Sequence, residues 1–127
     1  MKHRLDSFDY IFLSYDEPNA EILYAQLLNH VPWAKRVHGV KGFDTAHIAC
    51  ADASETDFFV TVDGDNEIYP EFLNLDIEIK DDQNDHAWTW AGRNVINGLV
   101  YGNGGLKLWS KTFVKNMRSH ENADDPA

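Results

Sequence analysis

The hydrophobic residues of the chain fall into short continuous runs that alternate with stretches of helical spacing. Apolar runs at 10–14 and 57–62 each predict a short strand, the first of them covered on both faces, and the segment 35–40 between them is expected to form another. Between the first two strands, apolar residues recur every three or four positions, which predicts a helix that starts near Pro18 and stops at Pro32. The order strand, helix, strand, helix, strand predicts an α/β fold of the doubly wound type.

The second helix is expected to follow Gly42, with Asp44 as its N-cap. Small residues at helical spacing would let this helix pack closely on the sheet, and they are Ala46, Ala49, Cys50 and Ala53. His47 lies off this stripe, so we expect it at the surface.

The last third of the chain combines an alternating segment with a glycine-rich one. Apolar and charged residues alternate at 75–80, which predicts a half-exposed strand. Four glycines then loosen the backbone before a short strand at 106–109. Ser110 is expected to cap a final helix that runs through Arg118.

The length of 127 residues is that of one domain, so we expect a single domain spanning 1–127. No apolar run approaches the ~20 residues that a membrane helix needs, so no membrane insertion is expected. The basic N-terminus has no apolar segment behind it, which argues against a secretory signal. The single cysteine, Cys50, cannot form an internal disulfide, which suits a reducing cytoplasm.

Negative charge is concentrated in the middle of the chain. The net charge is −10, and residues 55–85 hold eleven acidic residues against one base, Lys80, so this segment alone accounts for it. A protein that grips nucleic acid through its phosphates would carry the opposite sign, so no nucleic-acid partner is expected. Acid concentrated in this way is typical of a solvated surface or of a cation site.

The apolar run at 57–62 leads directly into two carboxylates, Asp63 and Asp65, with Gly64 between them. Two carboxylates this close repel each other unless a cation is bound, and hard oxygen ligands favour Mg²⁺ or Mn²⁺ with positions left for substrate phosphates. Gly64 would let the backbone approach those phosphates. The alternative is a surface turn, for which Asp-Gly is a common pair. An EF-hand loop is excluded because its glycine and glutamate positions hold Ile68 and Asn74.

Four segments of the chain, in this order, resemble the GT-A glycosyltransferases, and in particular the very short ones encoded by bacteriophages. They are 11–18 as first strand and turn, 37–42 entering the second helix, 59–66 at the family's DXD motif, and 101–109 as the glycine-rich loop and strand. The resemblance implies a single GT-A (Rossmann-like) domain with a mixed, mostly parallel sheet flanked by helices. Its nucleotide-sugar and metal-binding half would span about 8–66, and a reduced acceptor half about 67–120.

In this family the end of the first strand and the following helices hold the nucleotide, while the DXD motif binds a divalent ion on the sugar diphosphate. Carried onto this chain, the resemblance implies a nucleoside pocket lined by Ser14, Tyr15, Asp16, Lys41 and Asp44. The metal ligands that it implies are Asp63, Asp65 and a histidine near the C-terminus, His120.

Further donor contacts are expected from the second half of the chain. Trp90 could stack on a sugar or a base, and Arg93, three residues on, could reach a phosphate. Backbone amides of the glycine loop, at Gly104 and Gly105, could approach the sugar. The alternatives are structural, namely a core tryptophan and a flexible hairpin.

The expected function is metal-dependent transfer of a hexose from a nucleotide sugar, a UDP-sugar such as UDP-glucose, to an unknown acceptor. Asp63 and Asp65 would act through the cation, Mn²⁺ or Mg²⁺. An inverting enzyme would also need a carboxylate base. Glu121, Asp124 and Asp85 are candidates that no spacing separates, and retention stays open.

Two other functions remain as alternatives. One is a non-catalytic module that binds sugar nucleotides. The other is a phosphohydrolase of the haloacid dehalogenase type, which the short chain after Asp65 disfavours. The reduced acceptor half implies that acceptor recognition is sparse or comes from a homo-oligomer or a partner. A phage-encoded chain would act in the host cytoplasm.

Overall fold

The computed structural model of the chain describes residues 2–68, 73–79, 87–90, 93–94 and 106–116. The strands in these ranges are β1 (Lys2–Arg4), β2 (Asp9–Ser14), β3 (Lys35–His38), β4 (Phe58–Asp63), β5 (Asn66–Glu67), β6 (Asp76–Glu78), β7 (Ala87–Trp90), β8 (Arg93–Asn94) and β9 (Leu106–Ser110). The helices are α1 (Ala20–His30), α2 (Phe43–Ala53) and α3 (Lys111–Lys115), with a 3₁₀ turn at Leu5–Ser7.

The main sheet has five strands in the order β3-β2-β4-β9-β7. Strands β3, β2 and β4 run parallel, whereas β9 and β7 add to them in antiparallel fashion. Two small antiparallel pairs, β1 with β6 and β5 with β8, lie outside this sheet. The predicted order strand, helix, strand, helix, strand is therefore confirmed, and the fold is mixed α/β with a mixed sheet.

Both faces of the main sheet are covered, which explains why β2 and β4 are largely continuous apolar runs. Along β2, Tyr10 and Phe12 face the layer formed by α1, while Ile11 faces the layer formed by α2 and α3. The two buried clusters are separated by the sheet itself. The α1 side holds Leu23, Leu27, Val60, Val62, Leu106 and Leu108, and the other side holds Val37, Cys50, Ala51, Phe59, Trp109 and Val114.

Helix α2 begins differently from the sequence prediction. Gly42, not Asp44, occupies the N-cap position, with a φ of 96° that favours glycine. Asp44 lies inside the first turn and is fully buried, and His47 is buried as well rather than at the surface. The face packed on the sheet therefore includes two polar residues beside Ala46 and Cys50, and a stripe chosen by side-chain size alone missed them.

The ends of the other two helices agree only in part with the sequence prediction. Helix α1 starts at Ala20, so Pro18 lies in the preceding turn rather than in the first helical turn. Ser110 caps α3 as predicted, because its hydroxyl oxygen accepts a hydrogen bond from the Phe113 amide at 3.3 Å. Helix α3 ends at Lys115, and Arg118 lies outside the described residues. In the ranges given above, no helix has both the length and the apolar character needed to cross a membrane.

Candidate functional site

A cleft of about 550 Å³ lies at the carboxyl ends of the parallel strands. The register of the sheet creates it, because β2 pairs Ser14 with His38 of β3 and Leu13 with Asp63 of β4. Three loops thus leave the sheet side by side. The lining residues are Leu13, Ser14, Tyr15, Glu17, Val40, Lys41, Gly42, Phe43, Ala46, His47, Asp63 and Asp65.

The two carboxylates of the predicted metal site line one wall of this cleft. Asp63 is the last residue of β4, and Asp65 follows in the turn after Gly64. The pKa of Asp63 is raised to about 7, chiefly by burial; the charge of Lys107 opposes this rise, and the charges of Asp65 and Glu17 contribute to it. A carboxylate held in this way is costly to ionise without a neighbouring cation.

A third carboxylate, that of Glu17, lies over Gly64. A Cβ atom built on Gly64 would stand 2.6 Å from Glu17 Oε1 and 2.9 Å from Ser14 Cβ, so only glycine fits here. Glu17 Oε1 also accepts a hydrogen bond from the Tyr15 amide at 2.7 Å. The space that the sequence assigned to ligand phosphates is therefore filled by a side chain of the protein. Sequence reasoning missed Glu17, although it stands in the same polar loop as Tyr15.

Ser14 is buried and engaged behind the cleft. Its hydroxyl oxygen accepts a hydrogen bond from Arg36 Nε at 3.0 Å and lies 2.7 Å from His38 Nδ1. The contact between Ser14 Oγ and His38 Nδ1 links the two strands whichever of the two atoms donates. Arg36 is itself held by Glu21 at 2.7 Å. Ser14 therefore fixes the back wall of the cleft by joining β2 to β3.

Two exposed aromatic rings flank the opening of the cleft. Tyr15 is 53% exposed and Phe43 is 41% exposed, although both are large and partly apolar. Phe43 stacks on His47 with ring centroids 4.2 Å apart, and His47 meets Trp109 edge-on at 5.0 Å. The wall from Phe43 to the core is thus built of packed rings, a surface suited to a planar ligand group.

The remaining predicted residues are divided between the cleft and other places. Lys41 lines the cleft, whereas Asp16 is exposed beside it and Asp44 is buried within α2. Trp90 and Arg93 belong to β7 and β8, and β8 pairs with β5 just after the Asp65 turn. The candidates outside the described residues are Asp85, Gly104, Gly105, His120, Glu121 and Asp124.

Of the three metal ligands predicted from the sequence, Asp63 and Asp65 lie within the described residues and His120 lies outside them. In that part of the chain, no group of three or more histidine, cysteine, aspartate or glutamate side chains is arranged to hold a metal ion. Trp109 belongs to the core and donates a hydrogen bond to Thr61 Oγ1 at 2.9 Å.

No protein-family model matches the chain, and no curated protein sequence matches it either. Among solved structures, the chain is similar to a glycosyltransferase involved in the glycosylation of the major capsid of PBCV-1. The identity is 17%, the TM-score is 0.46, and the match covers 84% of this chain and 62% of that one. The chain thus spans less than two thirds of the length of that structure. The likeness concerns the fold and no residue of the cleft.

Proposed function

We propose that the chain is a metal-dependent glycosyltransferase that binds a UDP-hexose in the cleft at the carboxyl edge of the sheet, with Mn²⁺ or Mg²⁺ as the cation. The observation that carries the proposal is the meeting of Asp63 and Asp65 with exposed Tyr15 in one cleft. Ligands of doubly wound sheets bind at this edge.

The size and lining of the cleft suit a nucleotide sugar. Its volume of about 550 Å³ lies within the usual range of small-molecule sites. Tyr15 and Phe43 offer rings on which a base can stack, and Lys41 brings a positive charge to the same opening. These three residues would orient the nucleotide so that its diphosphate points toward Asp63 and Asp65.

The carboxylates that line the cleft suit a divalent cation. Asp63 is partly buried beside the charge of Asp65, so a bound cation would relieve both the burial cost and the repulsion. Mg²⁺ is commonly held by one or two carboxylates, with substrate phosphates and water as its other ligands. Bound there, the cation would supply positive charge to the leaving diphosphate as the glycosidic bond breaks.

The test is a screen of nucleotide sugars with Mn²⁺, read by the release of free nucleotide, together with calorimetry of UDP binding. We expect release from UDP-hexoses and UDP binding that tightens when Mn²⁺ replaces a chelator. UDP binding without turnover would instead indicate a non-catalytic module. Phosphate release from simple monoesters would indicate a phosphohydrolase. Equal UDP affinity with Mn²⁺ and with chelator would contradict the metal-bridged site.

A further inference from the structure

The side chain of Glu17 takes an unusual course for a residue placed just ahead of a helix. Helix α1 begins at Ala20, and an acidic residue here would be stabilised by turning toward the helix N-terminus. Glu17 turns back instead, so that its Oε1 accepts the Tyr15 amide at 2.7 Å and lies over Gly64. Its carboxylate is thereby part of the cleft lining.

This orientation brings Glu17 close to another negative charge. The charge of Glu17 is one of the causes that raise the pKa of Asp63, so the two carboxylates are near enough to repel. The hydrogen bond from the Tyr15 amide opposes that repulsion, because backbone N–H groups bind anionic oxygens strongly. The same type of donor binds the phosphate oxygens of ligands.

We propose that Glu17 is an internal stand-in for an anionic oxygen of the donor. Its carboxylate covers Gly64 and accepts the hydrogen bond of the Tyr15 amide. When a diphosphate binds, Glu17 swings out and the Tyr15 N–H passes to a phosphate oxygen. Glu17 thereby lowers the affinity of the cleft for a diphosphate without a cation, because the ligand must first displace the Glu17 carboxylate. This inference rests on the proposed function, since it presumes that the cleft receives a diphosphate.

The experiment measures the affinity of UDP and of inorganic pyrophosphate by calorimetry, in chelator and in Mn²⁺, for the wild type and three variants. Glu17→Gln keeps the shape and removes the charge, while Glu17→Ala removes the whole stand-in. Asp16→Asn is the matched comparison, because it removes the same charge from the adjacent exposed position and reports on the electrostatic field alone.

We expect both Glu17 variants to bind UDP and pyrophosphate in chelator about tenfold more tightly than the wild type, a change of about 1.4 kcal/mol. Asp16→Asn should give a clearly smaller gain. Weaker binding by the Glu17 variants would make Glu17 a direct ligand contact and overturn the inference, and so would gains equal to that of Asp16→Asn. If neither the wild type nor any of the three variants binds UDP even with Mn²⁺, the proposed function is wrong and the inference is wrong with it.

Hydrogen exchange of the Tyr15 amide gives a second readout that does not depend on affinity. In Glu17→Ala this amide should exchange faster than in the wild type, because it has lost its acceptor. Saturating UDP should slow it again in the variant. An amide that still exchanges fast when UDP is bound would show that the ligand does not take over the hydrogen bond, and the stand-in role would be wrong.

Discussion

A cleft of about 550 Å³ lies at each of two opposite edges of the main sheet, and the two edges differ in how their charges are arranged. At the amino edge, opposite charges meet. Lys35 Nζ lies 3.6 Å from Asp9 Oδ2 and donates a hydrogen bond to the Ala53 carbonyl, and the Glu55 amide donates to Asp9. At the same edge, Lys111 Nζ donates a hydrogen bond to the Ser54 carbonyl.

At the carboxyl edge, like charges meet. Glu17, Asp63 and Asp65 line one cleft, and the pKa of Asp63 is raised to about 7. An arrangement that pairs opposite charges stabilises the fold, whereas carboxylates gathered in a cleft with a perturbed pKa are typical of a binding site. The two edges therefore differ in the arrangement of their charges, although their clefts are equal in volume.

The largest effect on activity is expected from replacing an aspartate near the carboxyl end of β4, compared with the same replacement at its amino end. Asp65→Ala should lower nucleotide release from UDP-hexoses by at least ~100-fold, because a metal site loses more with a ligand than the 10–100-fold seen for its supporting residues. Asp57→Ala, at the exposed amino end, should keep the wild-type rate. Thermal unfolding checks that both variants fold. Wild-type turnover by folded Asp65→Ala would remove Asp65 from the site.

The next largest effect concerns stability and pH in the absence of divalent ions. The pKa of Asp63 is raised from 3.8 to about 7 in the folded protein, so the folded state binds this proton more tightly than the unfolded state. The resulting stability is complete below about pH 4 and is lost as the pH rises through 7. At about 1.4 kcal/mol per pKa unit, the loss is a few kcal/mol at most.

Asp63→Asn should therefore raise the free energy of unfolding at pH 8 and flatten its pH dependence between 4 and 7. Urea unfolding in chelator at several pH values measures both quantities. Asp57→Asn, at the solvent-exposed end of the same strand, should keep the wild-type slope. Identical slopes for the wild type and Asp63→Asn would show that the Asp63 carboxyl is not strained in the folded state.

The sequence was informative where one physical cause decides the outcome. Runs such as 10–14 are apolar because both faces of the sheet are covered, so the alternation of strands and helices followed from them. Parallel strands end at the same edge, which brings Tyr15 and Asp63 into one cleft. Helix starts were less predictable, because Asp44 had the residue type of an N-cap while the backbone at Gly42 set the boundary.

The rest of the site depends on tertiary contacts that spacing does not encode. Glu17 reaches Gly64 only because the loops after β2 and β4 lie side by side. The Tyr15 amide and the N-terminus of α1 are competing partners for its carboxylate, and the carboxylate binds the Tyr15 amide. His47 was expected at the surface, but it is buried and its ring packs edge-on against Trp109. Neither outcome follows from hydrophobic periodicity.

A smaller effect is expected from His120, the third metal ligand implied by the resemblance. His120→Ala should weaken Mn²⁺ binding by about tenfold, as the loss of a metal-site partner does. The loss should be greatest near neutral pH, because only neutral imidazole binds metal and its reference pKa is about 6.5. Calorimetry with Mn²⁺ at pH 7.5 and pH 5.5 measures it, since those values bracket the ordinary imidazole pKa at about 6.5.

Truncation after Arg118 is the matched comparison for His120. It should reproduce the loss seen in His120→Ala if the histidine is a ligand. Unchanged Mn²⁺ binding in both proteins would mean that the acidic edge completes its site without the C-terminal segment. That result would sharpen the contrast between the two edges, because the carboxylates at the end of β4 would then hold the cation with water and phosphate alone.

The smallest effect compares one lysine from each edge. Lys35→Met should cost about 1–2 kcal/mol of stability, because it removes a hydrogen bond to the Ala53 carbonyl and leaves buried Asp9 with less compensation. It should leave UDP affinity unchanged. Lys41→Met should do the reverse, changing stability by less than about 0.5 kcal/mol, as is usual at exposed sites, while weakening UDP binding. Urea unfolding and calorimetry on both variants give the four values. If Lys35→Met weakens UDP binding as much as Lys41→Met does, the amino edge takes part in ligand binding, and the division between a structural and a functional edge is wrong.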